Sequence, residues 1–444
     1  MIEIVLGAPD YARLTSTLLT GDVEHCAILL ASQAVRADGL TRLLVRAIDF
    51  PEPKDYVCQE ELKAILSPHY IARVSKQARR EESSLIFVHT HLGGLPPCFS
   101  PADDEGEEHL AAFVAHRHPG RRHAALVLSR GGGRARELGT LQEARVLVLG
   151  DHRLILFDPS RPKGEVPHQF DRQVRAFGRD GQRELERLRI GILGLGGTGS
   201  IVIQELVHLG VSDFVLVDPD VIDETNLNRV VGATAADIGT PKIDVAARYA
   251  KALQPSAHIT TVRGDITHDR FARPLTDADL IFGCTDSHGS RAVLQQVSYQ
   301  YLIPCIDMGS TITAQEESIT GIHGRVQMLT PGYGCFTCAA LLNPEEVRRD
   351  MMSESERRLD PYIQGAREPA PAVVSINGTV ASLAITMFLS VVTGIPSRGR
   401  NLLYNGVNST LRAVSVSPQE NCYICSRAGT FARGDSVQLY ARRD

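Results

Sequence analysis

The sequence has little net charge and no recognisable targeting segment at its start. Its 47 Lys and Arg residues and 52 Asp and Glu residues give a formal charge of −5 over 444 residues. Such a balance indicates neither a nucleic-acid-binding nor a membrane-binding surface. The first residues, MIEIVLGAPDYARL, lack both a basic segment before an apolar stretch and a small-residue cleavage pattern. We therefore expect a cytoplasmic protein with no nucleic-acid or membrane partner.

Long hydrophobic runs are also scarce. The most apolar stretch, residues 379–395, is interrupted by Ser382, Thr386, Ser390 and Thr393. It is too short and too polar for a typical membrane span, which needs about 20 predominantly apolar residues. This stretch is predicted to be a buried helix.

The composition of two consecutive regions indicates two domains. At roughly 150 residues per domain, the length favours two or three. The stretch FDPSRPKGEVPHQF contains three prolines and no apolar periodicity, so we predict a boundary near residues 159–168. Residues 1–160 alternate apolar runs with helix-like stretches, which predicts a mixed α/β domain. Residues 169–444 alternate strands with helices of about 10 to 15 residues, which predicts an α/β domain with a Rossmann-like, doubly wound parallel sheet.

A set of potential metal ligands follows an apolar strand in the first domain. In VHTHLGGLPPCFSPADD, strand alternation points His89 and His91 to the same side. Asp103, within the Ser-x-x-Asp arrangement that begins at Ser100, could supply the third ligand of a zinc site that keeps one position open for water. Glu24, which opens another strand, is a candidate general base because its carboxylate can take the water's proton.

These residues together resemble the JAMM (MPN-type) metalloproteases, which cleave isopeptide or peptide bonds after ubiquitin-like tails. The resemblance implies a cytidine-deaminase-like fold and a catalytic Zn²⁺ bound by His89, His91 and Asp103. It also implies that Glu24 is the general base and that Ser100 donates a hydrogen bond to the oxyanion.

The sequence departs from the family pattern in two ways, so the identity of the third metal ligand is not fixed. Eight residues separate His91 from Ser100, where the family usually has seven, and Leu92 replaces the usual proline. Asp104 is therefore an alternative to Asp103.

A His-x-His pair alone is more often an ordinary pair of polar residues. A second such pair, His116 and His118 in AHRHPGRRH, lacks both an acid and a strand. We expect it to lie in a solvated turn.

A glycine-rich turn opens the second domain. RIGILGLGGTGSIVIQEL places Gly194, Gly196 and Gly199 in a Gly-x-Gly-x-x-Gly frame between a strand and a helix. Glycines let the backbone approach phosphate, and the helix N-terminus supplies free N–H groups. Asp218, at the end of the next strand, is placed to hold ribose hydroxyls. These features alone also fit an NAD-dependent dehydrogenase.

The polar residues that follow favour a triphosphate instead. DPDVIDETNLNRV brings Asp220, Asn226 and Arg229 close in sequence to Asp218, and GTPK places Lys242 at a helix start. Cations suit a triphosphate, and a strand-end aspartate in CTDS, Asp286, suits Mg²⁺. As an alternative, Asp220 and Asn226 could cap turns and Arg229 could form a surface ion pair.

These motifs resemble the ThiF/MoeB/HesA group of ubiquitin-activating-enzyme-like adenylyltransferases, from about residue 169 to residue 425. The resemblance implies that ATP contacts the glycines Gly194, Gly196, Gly197 and Gly199 and that Asp218 binds the ribose. It also implies that Asn226, Arg229 and Lys242 contact the phosphates and that Asp286 binds Mg²⁺. In QFDRQ, Arg172 matches an arginine that typically reaches the ATP of the other subunit in a homodimer.

The nine cysteines divide into a paired group and the rest. In a reducing compartment, cysteines are more often metal ligands, nucleophiles or core residues than disulfides. Two Cys-x-x-Cys pairs, GCFTC and NCYIC, predict a tetrahedral structural Zn²⁺; its ligands are Cys335, Cys338, Cys422 and Cys425. The resemblance implies that this zinc fastens the C-terminal tail to the domain.

Many relatives carry a catalytic cysteine after the first zinc pair, but residues 339–421 contain none. Aligning the segment SINGTVASL puts Arg367 about where that cysteine would fall. We therefore expect adenylation without a thioester on this chain. The acceptor of the acyl-adenylate stays open among the cysteine of a conjugating-enzyme-like protein, a sulfide donor and an amine.

Both domains point to the flexible C-terminal tail of a ubiquitin-like protein. We expect one domain to adenylate the terminal glycine and the other to trim or remove the modifier. The alternatives are sulfur-carrier activation for thiocarboxylate formation, a non-catalytic modifier-binding scaffold, and adenylation of a small molecule or peptide.

Overall fold

The computed structural model describes residues 1–161, 163–315, 318–353, 355–356 and 371–443. Arg367, the position aligned with the missing cysteine, lies outside these residues. The chain forms two compact units, each assembled from three segments. Unit 1 comprises Met1–Lys163, Gln300–Leu302 and Arg427–Gln438, and unit 2 comprises Gly164–Tyr299, Ile303–Ser426 and Leu439–Asp444.

Unit 1 is a mixed α/β structure built on one large sheet. Its strands and helices are β1 (Ile2–Gly7), α1 (Ala8–Leu18), β2 (Cys26–Val35), β3 (Thr41–Asp49), β4 (Tyr56–Glu60), β5 (Lys63–Leu66), α2 (Pro68–Arg80), β6 (Ser84–Thr90), α3 (Pro101–Arg117), β7 (Ala124–Ser129), β8 (Gly132–Glu137), β9 (Glu143–Leu149) and β10 (Arg153–Phe157). The sheet has the order β1-β3-β2-β6-β7-β8-β9-β10, and β1 also pairs with β9. Strands β4 and β5 form a separate hairpin.

The two faces of this sheet bury separate apolar clusters. Along β6, Ile86 and Val88 join the cluster that includes α1, whereas Leu85 and Phe87 join the cluster beneath α2 and α3. Side chains alternate between the faces of a strand, so a continuous apolar run supplies both clusters. The mixed α/β class predicted for this region is present.

Unit 2 contains the predicted parallel sheet. Its elements are α4 (Asp171–Arg187), β11 (Arg189–Leu193), α5 (Gly197–His208), β12 (Asp213–Val217), α6 (Lys242–Leu253), β13 (His258–Val262), α7 (Asp269–Ala272), β14 (Leu280–Gly283), α8 (His288–Gln300), β15 (Cys305–Gln315), β16 (Ser318–Leu329), α9 (Pro344–Met351), α10 (Val374–Thr393), β17 (Asn401–Asn405) and β18 (Thr410–Ala413).

The strand order of this sheet creates a crevice between two neighbouring strands. The order is β13-β12-β11-β14-β15-β16-β17-β18, with parallel pairing from β13 to β15. The direction of winding reverses between β11 and β14, and ligands of such sheets bind outside the carboxyl ends of the strands at this point. Strands β16 to β18 extend the sheet in antiparallel fashion.

The apolar stretch in unit 2 is an interior helix, as predicted. Helix α10 is long and apolar enough to cross a membrane, with a mean hydropathy of 1.7, but half of that window is buried inside the protein. Val380, Ala384 and Phe388 are fully buried, and they belong to the same apolar cluster as Phe282 of β14. The core helix of a soluble protein meets the same criteria of length and composition.

A segment near the C-terminus, Arg427–Gln438, belongs to unit 1. Val35 donates its backbone N–H to Asp435 Oδ2 (2.9 Å), and Tyr301 donates its hydroxyl to the same carboxylate (3.1 Å). The carbonyl of Gly434 accepts from Gln300 Nε2 (2.7 Å). This segment lies within the predicted second domain, residues 169–444, because nothing local in its sequence indicates distant partners.

Candidate functional sites

The glycine turn lies at the carboxyl end of β11 and leads directly into α5. Gly194 has φ +89°, and a Cβ on Gly199 would stand 1.9 Å from the Gly194 carbonyl oxygen. A Cβ on Gly194 itself would lie 2.7 Å from the carbonyl oxygen of Cys284, in the turn that follows β14. The turns after β11 and β14 therefore touch at the crevice, and only glycine permits their approach.

Asp218 follows β12 and organises the glycine turn. It is buried, and its carboxylate accepts backbone hydrogen bonds from Leu195 (2.6 Å) and Asp220 (2.8 Å). Burial raises the pKa of Asp218, and the charge of Lys242 opposes this rise. Because each carboxylate oxygen has a second lone pair, Asp218 retains the capacity to accept from ribose hydroxyls.

Lys242 and Asp220 form an ion pair beside this turn. The Lys242 Nζ to Asp220 Oδ2 distance is 2.8 Å; the lysine side chain is 12 % exposed and the aspartate side chain 61 %. The backbone N–H of Lys242 also donates to the Asp220 carbonyl (3.0 Å). The lysine is thereby held at the first residue of α6, where the sequence placed it.

Asn226 has a capping role in this structure. Its Oδ1 accepts from the backbone N–H of Asp223 (3.3 Å) in a capping box, and the residue is buried. This geometry matches the alternative in which Asn226 caps a turn, so its contact with phosphate stays a prediction.

Arg229 approaches the glycine turn together with Asn377, which the sequence analysis did not assign. A Cβ on Gly197 would lie 3.4 Å from Arg229 Cδ and 2.2 Å from Asn377 Nδ2. Asn377 is buried at the start of α10, and its Oδ1 accepts from the Ser310 hydroxyl (2.9 Å). A buried asparagine in the first turn of an otherwise apolar helix is the signal that could have identified it.

The two remaining predicted residues of this site are exposed. Asp286 lies in the turn between β14 and α8, and Arg172 lies near the start of α4. Asp286 is thus at the crevice edge of the sheet.

A buried carboxylate that the sequence analysis missed underlies the same edge. Asp307 of β15 is fully buried, and it pairs with Arg291 Nε at 3.2 Å and with Arg325. Burial of an ion is tolerated when partners compensate it. Its position within an apolar strand gave no indication of these distant arginines.

The four paired cysteines converge in unit 2. Sγ–Sγ distances are 3.7 Å for Cys335 and Cys338, 3.5 Å for Cys335 and Cys422, and 3.4 Å for Cys338 and Cys425. A tetrahedral zinc with Zn–S bonds of about 2.3 Å would separate the sulfurs by about 3.8 Å. Hydrogen bonds from neighbouring thiols, Cys425 first, lower the pKa of Cys335. This donor set fits zinc.

A second set of potential metal ligands lies in unit 1, at the end of β6. His89 Nε2 is 3.3 Å from His91 Nε2, and Asp103 carboxylate oxygens lie 3.0 Å from His89 and 3.6 Å from His91. Tetrahedral Zn–N bonds of about 2.0–2.1 Å would place donor atoms about 3.3 Å apart. Burial would raise the pKa of Asp103, but hydrogen bonds from both histidines lower it overall. These donors also fit zinc.

Strand pairing brings Glu24 to this cluster. Strand β2 runs antiparallel to β6 with Cys26 opposite His89, so Glu24, two residues earlier, lies beside His91. Glu24 Oε1 is 4.0 Å from His91 Nε2. Glu24 is buried, and its burial raises its pKa, which suits a proton acceptor.

Ser100 and Asp103 form the capping box at the start of α3. The Ser100 hydroxyl donates to Asp103 Oδ2 (2.8 Å), so in this structure it orients Asp103. Its contact with an oxyanion stays a prediction.

The alternative ligand Asp104 is engaged elsewhere. Its carboxylate pairs with Arg136 Nη2 at 2.7 Å, and Arg136 in turn lies over the Phe99 ring. The structure therefore groups Asp103, not Asp104, with the two histidines.

The predicted solvated turn is wrong for the second His-x-His pair, because His116 lies within helix α3 and His118 is its C-cap residue. His118 is buried, and its Nε2 lies 2.9 Å from the Ser75 hydroxyl, because α3 extends to Arg117 and packs against α2. His116 is exposed.

Comparison with known proteins places the second region in a known family. The ThiF family model matches residues 170–424. The SAMP-activating enzyme E1 of Haloferax volcanii is 27% identical over 277 residues, which cover 61% of this chain and 92% of that protein. The sulfur carrier protein ThiS adenylyltransferase of Escherichia coli is 27% identical over 249 residues, 55% of this chain and 89% of that protein. The molybdopterin-synthase adenylyltransferase of the same organism is 26% identical over 263 residues, 58% and 96%.

Proposed function

The chain belongs to the ThiF family, and we propose on this basis that it adenylates the C-terminal glycine of a ubiquitin-like or sulfur-carrier protein. The observation that carries the proposal is the polar edge of the unit 2 sheet. There the glycine turn follows β11, Asp218 follows β12 and Asp286 lies in the turn after β14, while Lys242 begins α6. Of the relatives named above, one is by its name an adenylyltransferase for the sulfur carrier protein ThiS, and another activates SAMP.

In the proposed reaction, a carboxylate oxygen of the carrier attacks the α-phosphorus of ATP. The bond from that phosphorus to the bridging oxygen breaks, and pyrophosphate leaves with the electron pair. Lys242 and Arg229 supply positive charge near the glycine turn, and such groups stabilise charge that develops on phosphoryl oxygens. Mg²⁺ held by Asp286 would neutralise further phosphate charge.

The proposal is tested by mass spectrometry of a carrier that ends in Gly-Gly after acid quenching of a reaction with Mg²⁺-ATP. The expected product is the carrier with AMP on its C-terminus, and a carrier that lacks the last glycine serves as the control. Equal labelling of both carriers would contradict the assignment.

We further propose that the acyl group passes directly to an external acceptor, which is the cysteine of a conjugating-enzyme-like protein, a sulfide donor or an amine. The support is the absence of cysteine from residues 339–421 of the sequence. A carrier adduct on this chain that survives non-reducing electrophoresis and is released by thiol would contradict this. The product, thiocarboxylate or conjugate, separates sulfur transfer from modifier conjugation.

Unit 1 is proposed to be a JAMM-type zinc metalloprotease that trims or removes the modifier. The supporting observation is the cluster of His89, His91 and Asp103 with Glu24 beside it. Zinc at this cluster would activate a water molecule by lowering the pKa of that water. Glu24 would hold the proton released from that water and deliver it to the leaving amine.

The protease assignment is tested with a carrier extended beyond its Gly-Gly end. The full-length protein is expected to remove the extension, and Glu24→Gln is expected to lower the rate at least about 100-fold. The exposed Glu108→Gln, on α3, is the matched control. Cleavage that is unaffected by Glu24→Gln would refute the assignment.

We place the protein in the cytoplasm as a homodimer, in which Arg172 contributes to the ATP site of the partner. The free cysteines of the described structure support a reducing compartment, and the family resemblance of QFDRQ supports the dimer. Gel filtration with light scattering tests the dimer, and mixing Arg172→Ala with Lys242→Ala chains tests the shared site by restoration of activity.

A further inference from the structure

The turn that carries Asp286 is continuous with the N-terminus of α8. Ser287 is the residue before that helix, and its hydroxyl oxygen accepts from the backbone N–H of Ser290 (3.1 Å). The backbone N–H of Arg291 donates to the Ser287 carbonyl (3.2 Å). Contacts that hold Ser287 in place therefore also restrict the backbone conformation of the adjacent Asp286.

Asp350, from helix α9, binds this turn from outside. Its Oδ2 accepts from the Ser287 hydroxyl (2.8 Å) and from the backbone N–H of Gly289 (2.9 Å). A Cβ on Gly289 would stand 2.5 Å from Asp350 Cβ, so this approach requires glycine. The carboxylate also complements the positive end of the α8 dipole.

A second contact joins the two helices. The backbone N–H of Asn343, which caps α9, donates to His288 Nδ1 (3.2 Å). Helix α9 is thus attached at both of its ends to the start of α8.

The inner side of α8 is fixed independently of α9. Arg291, one turn into the helix, pairs with the fully buried Asp307. The helix itself is anchored by this inner pair, so loss of Asp350 should loosen the preceding turn without releasing α8.

We propose that Asp350 is a positioning residue for Asp286, holding the turn before α8 in the conformation that receives the magnesium of the ATP complex. The inference rests on the proposed function of this edge of the sheet. Asp350 itself contacts Ser287 and Gly289 and need not touch nucleotide or metal. Partners of a metal ligand commonly change metal affinity by about 10- to 100-fold when they are removed.

The test compares full-length wild type with Asp350→Ala, Asp350→Asn and a control, Glu345→Gln. Glu345 lies on the same helix and pairs with Arg348 at the surface (3.2 Å). Hydrogen–deuterium exchange measures the amides of residues 284–291 without ligand. Calorimetry with a non-hydrolysable ATP analogue, titrated over Mg²⁺ concentration, measures the half-saturating Mg²⁺ concentration.

Asp350→Ala is expected to accelerate exchange in residues 284–291 and to raise half-saturating Mg²⁺ about 10-fold, with nucleotide affinity at saturating Mg²⁺ nearly unchanged. Asp350→Asn retains an acceptor and is expected to show a smaller change in the same direction. Glu345→Gln is expected to match wild type.

Unchanged Mg²⁺ dependence in Asp350→Ala, or wild-type binding that is independent of Mg²⁺, would overturn the inference. If Asp350→Ala does not fold, Asp350→Asn decides by the same two readouts. A wild type that binds the Mg²⁺ complex yet never adenylates a carrier would refute the proposed function and leave this result standing.

Discussion

At the scale of the residue, glycines within one turn have different roles. The space beside Gly199 is filled by the Gly194 carbonyl, whereas a Cβ on Gly196 would meet no atom within 4 Å. Gly196 also has φ −76°, outside the left-handed region that favours glycine. Gly199 is therefore required by the fold, and Gly196 borders the open space where phosphate is proposed to bind.

This difference gives a matched pair of variants. Gly199→Ala should destabilise unit 2 by about 1–3 kcal/mol, because overpacking against backbone forces a shift. Gly196→Ala should leave stability within about 0.5 kcal/mol but weaken ATP binding. Urea denaturation and calorimetry measure the two effects. Equal losses of stability in both variants would contradict the distinction.

His123 is a buried histidine that is held neutral in unit 1. It is 4 % exposed, its Nδ1 accepts from the backbone N–H of Leu85 (3.0 Å), and burial lowers its pKa to about 4. The unfolded chain has the ordinary histidine pKa of about 6.5. Between these values the unfolded state binds a proton that the folded state does not, so stability falls as pH decreases from about 6.5 toward 4.

We predict that His123 contributes about 2–3 kcal/mol to the destabilisation of unit 1 between pH 7 and pH 4.5. His123→Asn keeps an acceptor for the Leu85 N–H but cannot be protonated there. Between pH 7 and pH 4.5 the variant should therefore lose about 2–3 kcal/mol less stability than wild type. The free energy of unfolding of unit 1 is measured at both pH values by urea denaturation, with hydrogen exchange of β6 and β7 as the probe. Identical pH dependence of the two proteins would show that His123 is not the titrating group.

At the scale of the element, the strand pairing of unit 1 explains how its site forms. Glu24 and His91 are far apart in sequence, and only the register of β2 on β6 brings them together. Sequence pattern predicted the ligands and the base as a set because their spacing resembles a known family. It could not give the register, since strand pairing depends on distant partners.

The segment Arg427–Gln438 shows the same limit. Gly434 has φ +50°, and a Cβ there would lie 2.3 Å from the Gln33 carbonyl oxygen of β2. Its sequence carries no period that would indicate a distant strand as its partner. By contrast, the alternation of strands and helices from residue 189 to residue 305 sufficed to predict the parallel sheet, because strands joined by helices pair in parallel whether or not they are neighbours in the chain, as β11 and β14 do.

The packing of this segment predicts that Gly434→Ala lowers the stability of unit 1 by about 1–3 kcal/mol, from overpacking and a strained backbone. Gly106→Ala is the control, because Gly106 is exposed within α3 and a Cβ there meets nothing within 4 Å. The control should gain up to about 1 kcal/mol. Hydrogen exchange of β2 measures both, and unchanged protection in Gly434→Ala would contradict the packing.

At the scale of the whole molecule, the described residues of each unit contain one group of potential metal donors. The paired spacing of the cysteines made the Cys₄ group predictable from sequence. The sequence left Asp103 and Asp104 open, and the arginine that engages Asp104 comes from the distant strand β8.

The purified protein is therefore predicted to bind two equivalents of zinc. Cys422→Ser and His91→Ala should each lose one equivalent of zinc, and the double variant should lose both equivalents. The reason is that a four-coordinate site binds zinc much more weakly when one of its ligands is removed. Elemental analysis after gel filtration measures this. One equivalent in wild type, lost only in Cys422→Ser, would contradict the metalloprotease assignment.

ATP–pyrophosphate exchange measures adenylation of a carrier by unit 2. Exchange is expected to require both Mg²⁺ and a carrier ending in Gly-Gly. Exchange should fall about 100-fold or more in Lys242→Ala, since losing one transition-state contact typically costs about 3–4 kcal/mol, and should not change in Glu24→Gln. Exchange that is absent with every such carrier, or equal in wild type and Lys242→Ala, would show that unit 2 does not adenylate the carrier as proposed.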